Sequence, residues 1–275
     1  MPNISKLAFF KKWSLTIKIM PVVASIIILK YAIYKLHLDF LASNPLLPSL
    51  VAAAVFLMGF LISGVLSDYK ESEKLPGELS ASLETIADEA EIIYRNKKAA
   101  VARDFLMHLH EFAGLLVTWL YKEEHTAAIL SKLRDFNDFY LKFEPLTQAN
   151  FIVRLKQEQH NLRRAVIRIH AIRETSFIPS GYAIAEGIAV LLLIALLFTK
   201  LDPFYESMFF VTPITYLFVY MLALIGDLDN PFEFNTKGET SGEVSLKELR
   251  DVEQRLHERV LALGKDKQRL HSKTA

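Results

Sequence analysis

The stretch LLPSLVAAAVFLMGFLISGVL at residues 46–66 contains no charged side chain. A second stretch, SMFFVTPITYLFVYMLALIG at residues 207–226, has none either. A helix needs about 20 apolar residues to cross the roughly 30 Å hydrocarbon core of a bilayer, and both stretches meet that length. They predict an integral membrane protein that contacts the lipid bilayer as a partner. They exclude a soluble globular protein.

Two further segments are less apolar but still long enough to span. Residues 183–199 carry only Glu186 as a charged group, whereas the segment from about 17 to 38 contains Lys18, Lys30 and Lys35. Lysines near the end of a span can extend their ammonium groups to the interface, so they do not exclude a crossing. We therefore predict four membrane helices, at about residues 17–38, 46–66, 182–200 and 207–226.

The composition of the whole chain excludes several classes of protein. Of its 275 residues, 52% are apolar, which excludes intrinsic disorder. The 32 Lys and Arg nearly balance 31 Asp and Glu, so the net charge of +1 gives no indication of nucleic-acid binding. The absence of Cys excludes disulfides and thiolate chemistry. The sequence predicts no catalytic residue, no cofactor and no metal site.

The orientation follows from the charges that flank the spans. Residues 1–18 contain Lys6, Lys11, Lys12 and Lys18 without an acid, whereas the 39–45 connection contains only Asp39. Positive flanks remain in the cytoplasm, so the N-terminus is predicted to be cytoplasmic, and four spans return the C-terminus to the same side. The domain plan is then described in four parts: a cytoplasmic N-terminal helix with the first hairpin (1–66), a cytoplasmic helical region (67–179), the second hairpin (180–226) and a cytoplasmic tail (227–275).

The region between the hairpins has the pattern of packed helices. Apolar residues recur at helical spacing after Pro76 and again after Pro145. Residues 78–91 hold five acids and no base, whereas residues 154–173 are strongly basic. These two helices either pair as antiparallel neighbours or expose separately solvated faces, and the sequence leaves both possibilities open.

Two more segments complete the predicted body. Residues 105–121 are apolar enough to suggest a fifth span, but His108, His110 and Glu111 would be costly in hydrocarbon, so a buried helix of the body is expected. In the tail, Ser245 and Glu248 match a capping box. A helix is predicted at about 245–263, ending before Gly264.

Two short motifs resemble those of a known family. The second span contains the pattern Phe56-x-x-Gly59-Phe60, and Leu75-Pro76 follows its inner end. After the fourth span comes an acidic and apolar motif formed by Asp227, Asp229, Pro231 and Phe232. In this order and layout, the motifs resemble those of the bestrophin anion channels. The chain is identified as a distant relative, similar to bacterial bestrophin-like membrane proteins, and this resemblance implies a location in a bacterial inner membrane.

The resemblance implies an all-α fold with four membrane helices and a large helical cytoplasmic body, assembled as a homopentamer around a central pore. It implies that Ala52, Phe56 and Phe60 form an apolar neck through which small inorganic ions such as chloride pass, and it leaves open whether the pore favours anions or cations. These residues are spaced by four, so they share one helix face. Lys30 and Lys35 would then supply positive potential near the outer mouth of the pore.

Simpler interpretations exist for each of these residues. Phe56 and Phe60 also suit helix packing or lipid contact, and Lys30 and Lys35 also suit interfacial anchors. Glu186 is a candidate functional group because intramembrane carboxylates are costly, or it is protonated and bonded to a neighbour. Calcium gating is doubtful because Lys237 lies where animal bestrophins have dense acidic ligands.

Two functions of other classes remain as alternatives. A membrane enzyme would use some of His108, His110, His125, His160 and His170, but their spacing does not match a helical metal motif. A non-conducting membrane scaffold would use the tail helix and the charged faces to bind partners. Nothing in the sequence excludes the scaffold.

Overall fold

A computed structural model describes residues 4–42, 44–121, 124–175, 179–200, 202–234 and 242–274, with side chains from Trp13 to Leu263. Within these ranges the chain forms ten α-helices, one 3-10 turn at Glu144–Leu146 and two very short strands. In chain order they are α1 (Ile4–Lys35), β1 (Leu41–Ala42), α2 (Leu46–Ser72), α3 (Leu75–Lys97), α4 (Ala100–Leu120), α5 (Thr126–Arg134), α6 (Phe136–Phe143), α7 (Ala149–Glu174), α8 (Pro179–Phe198), β2 (Thr199–Lys200), α9 (Phe204–Asp229) and α10 (Lys247–Thr274).

The described residues divide into two compact units. The membrane unit contains α1, α2, α8 and α9 with the two strands, and the helical body contains α3 to α7 with α10. Four helical stretches in the described part of the chain are long and apolar enough to cross a membrane, and they include α1, α2, α8 and α9. The predicted fold class, an all-α protein with four membrane helices, is therefore confirmed.

The observed helices differ from the predicted spans at their ends. α1 ends at Lys35 rather than at residue 38, because the chain turns at His37, whose φ of 55° is left-handed. The N–H of Leu38 then donates to the carbonyl of Ile33, which closes the helix end. α2 extends to Ser72 rather than to residue 66, and α9 covers Phe204–Asp229.

The core of the membrane unit lies where α2 meets α8 and α9. One face of α2 is buried there, and it packs with small and large apolar residues of the other two helices. The buried residues are Ala54, Met58, Leu61, Val65, Ala185, Ala189, Leu192, Phe218 and Ile225. α1 packs against α8 and α9, and its Tyr34 ring stacks on Phe204 with 3.9 Å between centroids. Small residues such as Ala54, Ala185 and Ala189 allow the helices to approach closely.

The two strands pair in parallel, with Leu41 opposite Thr199 and Ala42 opposite Lys200. This pairing is absent from the all-α prediction, since two-residue strands leave no periodic signal. One strand follows α1 and the other follows α8, so these helices end at the same level of the membrane unit. α1 and α8 therefore cross in the same direction, as four sequential spans require.

The helical body is centred on α4, the segment that resembled a fifth span. Phe105, Leu109, Phe112 and Leu116 on this helix are all fully buried. The Phe105 ring makes edge-to-face contacts with aromatic rings of α6, and its centroid lies 5.3 Å from that of Phe136. Such ring pairs add to the free energy gained from burial. Residues 105–121 thus form a buried helix of the body, as expected.

α3 and α7 are antiparallel neighbours, which decides the alternative that the sequence left open. At the end of α2, Glu71 pairs with Arg168 of α7 at 2.6 Å, and on α3 itself Glu89 pairs with Arg154 at 2.5 Å. Between them, the hydroxyl of Ser82 donates to Glu158 at 2.8 Å. One acid of the predicted acidic face, Glu89, therefore pairs with the basic face of α7, and the two helices pack as neighbours.

The tail helix α10 packs on α3 and α4 through its apolar stripe. Leu249, Val252 and Leu256 are buried, and two arginines of α10 pair with further acids of α3. Arg255 contacts Glu84 and Arg259 contacts Asp88, each at 2.5 Å. The predicted end before Gly264 is wrong, because the helix continues to Thr274. Glycine permits a helix end but does not impose one.

Candidate functional site

The candidate site is the outward face of α2. The helix begins where the side chain of Asn44 accepts a hydrogen bond from the N–H of Leu46 at 2.9 Å, and Pro48 lies in its first turn, where a missing N–H costs nothing. Between Pro48 and Asp68 the helix contains no further proline and no charged residue. α2 is therefore a continuous helix that keeps one face turned outward along the whole span.

The three predicted neck residues all lie on this outward face. Phe56 is 79% exposed and Phe60 is 65% exposed, and Ala52 is exposed one turn before them. The opposite face, with Met58 and Val65, is buried in the membrane unit. The structure thus brings the three residues together on one surface of the single chain, and the spacing of four residues was sufficient to predict that.

The sequence prediction did not include the small and hydroxyl-bearing residues of the same face. Ser49, Gly59, Ser63 and Ser67 are all exposed and continue the stripe in both directions. Their helical spacing relative to Phe56 and Phe60 is the signal that could have identified them. Between Ser49 and Ser67 the exposed residues of α2 are mostly small, hydroxyl or aromatic, with Leu50 and Leu66 as exposed aliphatic residues and no charge. By contrast, α8 exposes mainly large aliphatic residues such as Ile184 and Leu191.

The structure places Lys30 differently from the prediction. Its side chain is only 1% exposed, so it is neither an interfacial anchor nor a free charge at a pore mouth in this chain. The ammonium donates to the carbonyls of Leu197 at 3.0 Å and Thr199 at 2.6 Å. Carbonyls in the last turn of a helix lack intrahelical partners, and Lys30 satisfies them at the end of α8.

Lys35 and Glu186 remain on the surface of the membrane unit. Lys35 is exposed at the end of α1, with its ammonium 5.6 Å from the centre of the Tyr31 ring. Glu186 is exposed on α8 and has no hydrogen-bond or ion-pair partner among the residues that the structure describes. Within the described residues, Glu186 is therefore not hydrogen-bonded to a neighbouring side chain.

The motif after the fourth span lies at the end of α9. The helix ends at Asp229, two residues before Pro231, which cannot continue it. Pro231 and Phe232 are both buried. Asp227 lies so close to Gly242 that a side chain at Gly242 would begin 2.5 Å from the Asp227 carbonyl oxygen. Lys237, the position at which the sequence departs from the family pattern, lies outside the described residues.

The histidines considered for an enzyme do not converge. His108 lies 3.3 Å from the carbonyl of Lys132, and His170 lies 3.2 Å from the hydroxyl of Thr126. Burial holds the pKa of His108 below its ordinary value. His110 instead contacts His257 of α10, a residue that the sequence prediction did not consider. Because these two residues are far apart in sequence, no local spacing could have connected them.

Comparisons with known proteins support the fold. No protein-family model and no curated protein sequence matches the chain. Crystal structures do match: a variant of a bacterial bestrophin homologue from Klebsiella pneumoniae aligns with a TM-score of 0.74 and 16% identity over 88% of this chain and 99% of that chain. A second variant of that homologue aligns with a TM-score of 0.71 and 18% identity, over 88% and 99% of the two chains.

A third structure of the Klebsiella pneumoniae homologue aligns with a TM-score of 0.70 and 17% identity, and it covers 94% of this chain and 98% of that chain. The alignments span nearly the whole length of both proteins, so they include the membrane helices and the body together. The chain therefore has the fold of the bacterial bestrophin homologues, which confirms at the level of the fold the resemblance found in its two short motifs.

Proposed function

We propose that the chain is the subunit of an ion channel whose pore is lined by the outward faces of α2 from several identical chains. The observation that supports this most strongly is the composition of that face, where small and hydroxyl residues flank two exposed phenylalanines. A lipid-facing helix has no need of Ser63, Ser67 and Gly59 on its exposed side. Small and hydroxyl residues instead suit close contact between helices and a wet surface.

Phe56 and Phe60 form the narrow neck of this proposed pore. An ion in an apolar constriction loses hydration worth tens of kcal/mol, so aromatic rings at the neck act as a gate that opens by widening or closes by dewetting. Ala52, one turn away, adds a ring of small side chains. The positive edges of phenyl rings turned toward the axis favour anions such as chloride.

The remaining parts of the proposal concern assembly and orientation. Five chains form a closed ring around the axis, in a bacterial inner membrane, with both termini and the helical body in the cytoplasm. The lysines in the N-terminal half of α1 support this orientation, and the parallel arrangement of α1 and α8 is consistent with four sequential spans. Lys35, which is exposed at the end of α1, then contributes positive potential on the outer side.

Flux through the purified protein in liposomes tests the pore. Phe56→Ala and Phe60→Ala remove the aromatic rings of the neck, so chloride flux should rise, by about tenfold if the barrier falls by about 1.4 kcal/mol. Phe209→Ala on α9 is the matched control because Phe209 is 72% exposed. We assign Phe209 to the lipid, so its removal should leave flux unchanged.

The same experiment separates the channel from its alternatives. Equal effects of Phe56→Ala and Phe209→Ala would contradict the assignment of α2 to the pore. A protein that passes no ions in the wild type and in both neck variants would be the non-conducting scaffold. A reversal potential that follows the potassium gradient rather than the chloride gradient would contradict the anion preference and leave the pore itself intact.

A further inference from the structure

Two histidines meet where the tail helix packs on the helical body. His110 lies on α4 and His257 on α10, and Nδ1 of His257 is 3.3 Å from Nε2 of His110. The ring centroids are 5.0 Å apart. His257 is exposed and His110 is half-buried, so the contact lies at the edge of the interface between the two helices.

The distance between the two nitrogens suits a shared metal ion. Zn²⁺ binds imidazole nitrogen at about 2.0–2.1 Å, and two such bonds at a tetrahedral angle place the nitrogens about 3.3–3.4 Å apart. Neutral rings at this distance share a proton through an N–H···N hydrogen bond. An ion that replaces this bond leaves both rings neutral, because the shared proton moves to the outer nitrogen of its own ring.

A carboxylate lies one helical turn from the pair. Glu253 precedes His257 by four residues on α10, so the two side chains share a face. Oε1 of Glu253 lies 3.9 Å from the point where a side chain at Gly114 would begin, and Gly114 follows His110 by four residues on α4. Glu253 therefore lies in the contact between the two helices, and it has no ion-pair partner among the described residues.

We propose that His110, His257 and Glu253 bind a divalent transition-metal ion, with Zn²⁺ as the best match, and that this ion fastens α10 to α4. Two histidines, one glutamate and a water form a donor set that Zn²⁺ commonly adopts. In the described residues no three potential ligands are already gathered, so Glu253 changes rotamer when the ion binds.

The surroundings of His110 limit the affinity. Its Nδ1 is buried and has no hydrogen-bond partner in the described part of the chain. Metal-ligating histidines ordinarily donate their other N–H to an acceptor, and loss of that acceptor weakens binding by about 10–100-fold. We therefore expect micromolar rather than nanomolar affinity.

Calorimetric titration of the tag-free, full-length protein in detergent with ZnCl₂ tests the site. The wild type should bind one Zn²⁺ per chain at micromolar concentration, and its melting temperature should rise as the ion is added. His257→Ala should weaken binding at least tenfold, and Glu253→Gln should weaken it less. The matched control is His160→Ala, because His160 is an exposed histidine on α7, and this variant should bind as the wild type does.

Two results would overturn the proposal: Zn²⁺ binding of equal strength in the wild type and in His257→Ala, or no saturable binding by a folded wild type. Co²⁺ gives a second measurement, since an ion bound by His110 and His257 produces strong visible absorption that His257→Ala lacks. None of these measurements depends on ion conduction, so the site can fail while the proposed channel function holds.

Discussion

Lys30 shows how a single charged residue is accommodated inside a membrane unit. A buried ammonium is costly unless its hydrogen bonds are satisfied. Lys30 donates to two carbonyls at the end of α8 and the start of β2, where the helix dipole also favours a positive charge. The residue therefore links α1 to α8 at the level where the two strands pair.

Replacing Lys30 removes this link. Lys30→Met keeps the length and apolar volume of the side chain but leaves the carbonyls of Leu197 and Thr199 without their donor, so stability should fall by about 1–3 kcal/mol. Thermal unfolding in detergent measures the change. Lys35→Met is the control, because Lys35 is exposed, and it should melt close to the wild type. Equal melting temperatures for the two variants would show that Lys30 has no such structural role.

His108 gives the body a dependence on pH. Burial lowers the pKa of His108 below its ordinary value of 6.5, so the unfolded chain binds a proton more readily than the folded one. Stability should therefore be constant above about pH 6.5 and fall as the pH decreases from there toward the lower pKa of the folded state. His108→Gln removes the titrating group and should flatten this part of the profile. A melting temperature with the same pH dependence in both proteins would contradict the prediction.

At the scale of the element, the tail helix α10 depends on its apolar stripe more than on its ion pairs. Leu256 is 1% exposed, and Leu→Ala at such a position costs about 2–5 kcal/mol. Leu261 lies on the same helix and is 51% exposed, so Leu261→Ala should change stability by no more than about 0.5 kcal/mol. Thermal unfolding of the two variants checks the contrast. If both were equally stable, α10 would not be docked as described.

Most of the long helices of this protein could be predicted because they leave a local signal in the sequence, whereas the short helices α5 and α6 were not predicted. The uncharged stretches predicted the spans, and the polar groups of His108, His110 and Glu111 predicted that α4 is buried in the body rather than in lipid. The spacing of Ala52, Phe56 and Phe60 predicted their common face. Each of these features depends on residues of a single helix, and a local sequence pattern can predict only features of that kind.

Contacts between distant segments could not be predicted in this way. The sequence left open whether the acids of α3 pair with α7 or remain solvated, and it gave no indication that Glu84 and Asp88 pair with α10. The bond from Lys30 to α8 joins residues 167 positions apart, and the contact between His110 and His257 joins residues 147 apart. Which partner a charged or polar side chain finds depends on the packing of whole helices, which no local spacing reports.

At the scale of the whole molecule, the proposed channel requires other chains beside the outward face of α2. A single chain exposes Phe56 and Phe60 beside serine and glycine, and five chains would cover the edges of this face around an axis. We therefore expect five subunits in the purified protein. Mass photometry or native mass spectrometry in nanodiscs measures the number directly. A particle that contains one chain would contradict the pore, whatever the result of the flux measurements.

The membrane unit consists of two hairpins that are separated in the sequence by most of the helical body, and this separation has a consequence for biosynthesis. The buried face of α2, with Met58 at its centre, is covered by α8 and α9. These helices leave the ribosome roughly a hundred residues later, which at about 5–20 residues per second means a delay of roughly 5–20 seconds. The first hairpin must therefore persist in the bilayer as an independent insertion intermediate, with acyl chains against a surface that later becomes protein core.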